Sequence, residues 1–278
     1  MEDERREADY SEDNKITVHN DFVTALYPKG ITATDLKMMR FIISQCRMSD
    51  VEFYEYSFSV TDIAGRFHID RDHMYKAAHE SIARLFSCNL KVGTEKKYEL
   101  FHIFRTAKYE NGIFTMRLSE ESNKLFLQLR KNFTNVPLLP VLSMKSKSSI
   151  RIFELLCEKL KGNLPFADNA MSLYVDLGEL RQVTETLNAK SYDRMTNFKK
   201  RVVNPSIAEI EQAAGWKIVL QNVKKGKSIT GFNFEIWSRN GWEYIEDCKA
   251  KGILPYRGKY GNDENQVPGQ MTFADYFK

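Results

Sequence analysis

The chain is poor in the residues that staple, span or catalyse. Only four cysteines occur in 278 residues, Cys46, Cys88, Cys157 and Cys248. They form no CxxC pair and have no histidine at zinc-ligand spacing, which argues against a disulfide scaffold and a structural zinc site. Cys46 and Cys157 fall on apolar helix faces and read as buried thiols in a reducing cytosol. No apolar run is long enough for a membrane span. The acidic start, MEDERREADYSED, lacks the form of a secretory signal, so cytoplasmic localisation is expected. No two of the five histidines (His19, His68, His73, His79, His102) flank a single apolar residue, so the His-apolar-His metal cradle of a DNA-nicking enzyme is missing. No Gly-rich phosphate loop of the P-loop form occurs either. No catalytic residue, metal or cofactor is therefore expected.

What is present is enough apolar material for real cores, 42% of a chain long enough for two domains. The formal net charge of +4 conceals an asymmetry. The first thirteen residues hold seven acids and two arginines, a local −5, so the rest carries about +9. Residues 1–14 read as a disordered, solubilising acidic tail.

The body of the chain carries one plan twice. In the first half, residues 15–135, Ala33-Thr34-Asp35 opens a helix with Leu36, Met39, Ile43 and Cys46 inward. A strand at Tyr54–Val60 follows, and Thr61 is expected to cap a short helix. A longer helix runs from about Asp72 to Phe86, then strands near Asn89–Val92 and Tyr98–Tyr109. An Asn111-Gly112 turn leads into a strand at Ile113–Leu118. The second half, residues 136–240, repeats the order. A helix covers Ser148–Lys161 and a strand Met171–Val175. Asp176 caps a short helix, with Glu179 completing a capping box. A basic helix follows, and strands Trp216–Val223 and Ile229–Trp237 close the unit. Helix, strand, helix, helix, hairpin is the winged-helix order. The expected fold class is α+β, two tandem winged-helix domains in a pseudo-repeat. They are joined by an extended linker near Asn132–Val141 containing Pro137 and Pro140. Residues 241–278 are expected to be a partly flexible tail.

The basic helix, beginning near Tyr192, points to function. Lys190, Arg194, Lys199, Lys200 and Arg201 crowd it, with Phe198, Val202 and Val203 marking a buried side. Asn204-Pro205 is expected to end it and start another helix. By itself this could be a solvated face. Its place in the plan makes it the projecting second helix of a helix-turn-helix, which enters a DNA major groove. The following hairpin has Lys224, Lys225 and Lys227 at its tip, where a wing meets the DNA backbone. Ser191, Tyr192 and Asn197 add polar groups. Arg194 and the residues near Tyr192 lead the helix and suit bases; Lys199, Lys200 and Arg201 suit phosphates. The corresponding helix of the first half mixes Arg71, Lys76 and Arg84 with Asp72 and Glu80. That domain either touches the DNA backbone or serves as a dimer surface.

Several segments together resemble the plasmid replication initiators of the Rep_3 type, which bind repeated origin sequences called iterons. Lys147-Ser148-Ser149-Ile150-Arg151-Ile152-Phe153-Glu154-Leu155-Leu156 is similar to that family's K-S/Y-x-x-R-L/I-Y-E-L-L helix, with Phe153 where Tyr is usual. Leu180-Arg181, Phe198–Pro205, Gly231-Phe232-Asn233-Phe234 and Val18–Phe22 match further motifs. The resemblance runs from Ile16 to Trp237. It implies a monomer that initiates replication at double-stranded iterons, and a dimer that represses its own gene at an operator. It also implies host initiator and helicase-loading proteins as partners. A tandem winged-helix transcription regulator is the alternative on local chemistry. Beyond the resemblance, Gln270-Met271-Thr272-Phe273-Ala274-Asp275-Tyr276-Phe277 is similar to sliding-clamp peptides, with Gln270, Phe273, Tyr276 and Phe277 as anchors. The competing reading is a tail segment packing on its own domain.

Overall fold

The computed structural model describes residues 5–9, 14–47, 49–67, 71–93, 96–163 and 170–251. In chain order the first half holds β1 (Arg5–Glu7), β2 (Lys15–His19), α1 (Asn20–Val23), α2 (Ala33–Ser44), β3 (Glu55–Ser59), α3 (Val60–Phe67), α4 (Arg71–Phe86), β4 (Asn89–Gly93), β5 (Tyr98–His102), β6 (Phe104–Glu110), β7 (Ile113–Leu118), α5 (Asn123–Phe126), β8 (Phe133–Pro137) and α6 (Leu138–Ser143). The second half holds α7 (Lys147–Leu160), β9 (Met171–Asp176), α8 (Leu177–Val183), α9 (Met195–Phe198), α10 (Asn204–Ala214), β10 (Trp216–Lys225), β11 (Ser228–Ser238) and α11 (Arg239–Ala250).

Sheet orders β1-β3-β7-β6 and β10-β11-β9 make the repeat explicit. In each half the strand before the short helix pairs with the last strand of the hairpin, β3 with β7 and β9 with β11, all antiparallel. The fold is therefore two winged-helix units. The β6–β7 wing turns at Asn111 (φ 50°) and Gly112 (φ 82°), the left-handed pair that an Asn-Gly hairpin requires. At Gly231 an added Cβ would lie 2.5 Å from the Val175 carbonyl oxygen, so β11 can approach β9 only with glycine there. Buried residues of both halves form one continuous core, including Ile150, Phe153, Cys157 and Leu160 of α7 and Phe232, Phe234 and Ile236 of β11.

Several expectations need correction. The stretch 98–109 is two strands, not one. It breaks at Ile103, so that β5 pairs with β4 while β6 joins β7. Residues 133–143 are not a linker. β8 pairs with β2, and α6 buries Leu138, Val141 and Leu142. Pro140 lies in the first turn of α6, where its missing N–H costs nothing. The acidic start is not all loose: Arg5–Glu7 pairs in parallel with Glu55–Ser57 at the sheet edge. Gln45 holds Asp9 through both the Asp9 N–H and its carbonyl. Thr61 is not the cap of α3, which begins at Val60; Ser59 Oγ accepts the Thr61 N–H at 3.1 Å. Asp176 does cap α8, accepting from the N–H groups of Gly178 and Glu179. The reciprocal half of that box is absent, because Lys159 holds the Glu179 carboxylate at 2.7 Å. After β11 the chain continues as α11, with Trp242 edge-on to Trp237 at 5.9 Å. Cys46 lies just past α2 and is half-buried.

Candidate nucleic-acid interface

The second unit builds its projecting helix from an unusual run. Lys190–Tyr192 makes a single 3-10 turn, not the start of the helix. α9 begins at Met195, and residues Lys199–Val203 form a π turn that passes directly into α10. Asn204 does not cap a new helix. Its backbone is helical (φ −64°, ψ −44°), and its N–H reaches five residues back to the Lys199 carbonyl. Met195–Ala214 is thus one rod with a bulge in it.

Core packing explains the bulge. Extended back from Ile210, Ile207 and Val203, a regular helix would turn Lys199 and Thr196 inward. The residues actually inward are Val202 and Phe198, with Met195 half-buried, a stripe displaced by one position. A π turn absorbs one extra residue and brings both stripes onto the core. Pro205 favours it, since proline offers no N–H to an α-register carbonyl.

The helix is held from behind. The Arg181 guanidinium donates to the Tyr192 carbonyl at 2.8 Å and stacks over the Phe198 ring at 5.2 Å. Lys147 of α7 bonds Glu185 in the turn after α8 at 2.7 Å. These are positioning contacts that charge counting alone does not reveal.

The expected contact residues separate into two groups. Tyr192 is half-buried and edge-on to Phe198 at 6.4 Å, so its ring packs as well as faces outward. Asn197 donates its amide to the Ser191 carbonyl at 3.2 Å. Lys199 reaches across to Asn222 of β10 at 3.1 Å, its ammonium 5.7 Å from the Phe232 ring centre. It joins helix to wing. Lys190, Arg194, Lys200 and Arg201 are exposed, as are Lys224, Lys225 and Lys227 at the wing tip. Among the described residues none of these seven has an acidic partner, although the same stretch pairs Lys217 with Glu211 at 2.9 Å.

The first unit is the reverse. Arg84 of α4 binds Asp35 of α2 through two hydrogen bonds of 2.9 and 3.0 Å. On its wing, Lys108 faces Glu55, Arg105 faces Glu120, and Arg117 faces both Glu52 and Glu120. The exposed His79 ring lies edge-on to Tyr109 at 4.1 Å. Lys76 is exposed; Arg71 opens α4. Gln270, Phe273, Tyr276 and Phe277 lie outside the described residues.

Comparison with known proteins agrees with this geometry. A family model described as "Initiator Replication protein, WH1" matches residues 15–157. A second, "Initiator Rep protein, WH2", matches residues 176–236. The chain belongs to the initiator Rep protein family. Among solved structures it is similar to the Pi initiator protein in complex with iteron DNA. The TM-score is 0.67 at 16% identity, over 81% of this chain and 98% of the other. A structure of domains 2 and 3 of RctB aligns at TM-score 0.42 and 9% identity, over 79% of this chain and 82% of that one.

Proposed function

We propose that this protein initiates plasmid replication by binding iterons in double-stranded origin DNA. The observation that carries the reading is the set of seven exposed cations on the recognition helix, the turn before it and the wing tip, none with an acidic partner among the described residues. Neutralising such charges with phosphates releases counterions and drives binding. The first unit, in which Arg84, Arg105, Lys108 and Arg117 are already paired, has a lesser share, through Lys76 and Arg71 against the backbone. The protein acts by binding, not by bond cleavage, and works in the cytoplasm with host initiator and helicase-loading proteins. Its C-terminal segment from Gln270 to Phe277 engages a sliding clamp; capture of a clamp that survives deletion of every residue after Gly269 would remove that part.

The dimer that represses the protein's own gene uses the first unit. Support comes from β5, whose outer edge has no strand partner among the described residues and which leaves Tyr98 51% and Leu100 63% exposed. Bare apolar edges invite pairing with another chain. DNase footprinting on DNA carried beside the gene tests the whole reading. Protection of several direct repeats is expected; protection of one promoter palindrome alone would favour a transcription regulator.

A further inference from the structure

Two cations in the first unit are buried where the two units meet. Lys37 and Arg40 stand one turn apart on α2, 5% and 0% exposed. Arg40 binds a carboxylate of α7, the helix in which the WH1 match ends and which packs on α8, β9 and α10. Arg40 grips Glu154 of α7 through two hydrogen bonds of 2.6 and 2.9 Å and donates to the Tyr27 hydroxyl at 2.7 Å. Arg151, also fully buried, donates to Glu154 at 2.9 Å and to the Ala25 carbonyl at 2.8 Å. The charge of Glu209, on α10 of the same rod that carries the recognition helix, favours the ammonium of Lys37 against its burial. The Glu209 carboxylate in turn accepts the N–H groups of Lys145 and Ser146, in the turn between α6 and α7, at 2.5 and 3.1 Å.

Charges buried this way are poor stabilisers, because desolvation consumes most of the attraction. Apolar side chains would hold two domains together as well but would tolerate small rotations. Directional hydrogen bonds to a carboxylate do not. Thus three polar residues of the Lys147–Leu156 motif are engaged within the protein: Lys147 braces the turn before the recognition helix, while Arg151 and Glu154 join the units.

We propose that Lys37 and Arg40 of α2, acting on Glu209 and Glu154, set the angle between the two winged helices and thereby select the spacing of the DNA segments they contact together. The inference rests on the DNA-binding reading above. These four are positioning residues, since none lies on the proposed DNA surface. If both units engage one duplex, a shift of one base pair turns the second segment by about a tenth of a helical turn relative to the first.

The test uses full-length protein and a duplex selected from a random library by the wild type, with variants carrying one base pair inserted or deleted at the centre of the footprint. The wild type should bind the altered duplexes about 100-fold more weakly, the loss expected when one of two linked contacts cannot form. Lys37→Met/Glu209→Gln, which keeps one acceptor oxygen on α10, should reduce that penalty to less than about tenfold. Arg40→Met/Arg151→Met/Glu154→Leu, which replaces the buried charges by apolar groups of similar size, should do the same with melting temperature preserved. Cooperative melting with the wild-type spacing penalty intact in both variants would overturn the proposal. Should one variant fail to fold, the other decides. A wild type that selects no duplex at all would instead defeat the DNA-binding reading.

Discussion

Replacing Lys200 and Arg201 together by alanine tests where the DNA lies. Both side chains are exposed on the π turn and have no acidic partner among the described residues, so their removal costs the fold little, within about 0.5 kcal/mol for each. Six of the seven exposed cations on phosphates, with Arg194 at a base, would give a log K against log salt slope of about −5 for the wild type. Losing two should flatten it by about 1.8, so the wild type's advantage over the variant should shrink about twelvefold between 50 and 200 mM salt. The assay is fluorescence anisotropy on a single-site duplex at five or more salt concentrations, with thermal melts to confirm the fold. Lys199→Met is the matched control. Its ammonium already spans to Asn222, so its loss should change the slope less than removing either neighbour. An unchanged slope in the double variant, with normal melting, would mean that this helix face does not meet DNA.

Replacing Lys224, Lys225 and Lys227 should weaken binding to all duplexes about equally, because a wing grips backbone and not base edges; a change of preferred sequence in a binding selection would reverse the roles of wing and helix. Glu154→Ala strands two buried guanidiniums and should cost about 3–5 kcal/mol in urea unfolding. Burial pushes the Glu154 carboxyl up, but Arg40 and Arg151 outweigh it and hold it below its ordinary value of 4.5. Its contribution is therefore complete at neutral pH and is lost as pH falls below 4.5, a loss that Glu154→Gln should not show in acid unfolding. Burial pushes the Lys37 ammonium down to about 8, against Glu209 and with help from Lys145. Charged Lys37 then burdens the fold below pH 8, and the burden lifts between 8 and 10.5. Lys37→Met should raise the melting temperature at pH 7 and lose that gain by pH 10.5.

What the sequence shows well is local. The Asn111-Gly112 turn, the Asp176 cap and the alternation of Phe232, Phe234 and Ile236 each depend on neighbours a few residues away. What it hides is pairing across distance. β2 meets β8 with Thr17 bonded to Asn135, 118 residues apart, and neither strand has a hairpin turn to announce it. Pro137 and Pro140 look like linker residues because proline excludes regular structure in most positions; here one ends a strand and the other sits in a helix's first turn. Charge counting singles out Lys200 and Arg201, which are exposed, but it does not foresee that the polar ends of Asn197 and Lys199 are bonded within the protein. The fastening residues had a visible signal, an arginine inside the apolar run Met38-Met39-Arg40-Phe41-Ile42, and a Glu inside Phe153-Glu154-Leu155. A charge in the middle of a buried stripe must find a partner, although sequence alone does not name it.

The π turn had a signal too, and it makes a sharp prediction. Two apolar stripes, Met195-Phe198-Val202 and Val203-Ile207-Ile210, are each at helical spacing but out of phase by one residue. If that slip causes the bulge, deleting Lys200 should bring the stripes into register on a regular helix. Pro205 would then lie in an α-helix interior, at a cost of about 3 kcal/mol, so the deletion must be combined with Pro205→Ala. The combined variant should fold with a melting temperature near that of the wild type. With both stripes still on the core, Arg194 and Lys199 would keep their facing, while Arg201, the cation left within the turn, would swing about the rod as the turn tightens to about 100° per residue. DNA affinity should therefore drop further than in Lys200→Ala, which removes the same charge and leaves the bulge. Equal affinities for the two would mean the π turn serves only packing. A variant that unfolds although Lys200→Ala and Pro205→Ala each fold would mean that the extra residue is needed for more than phase.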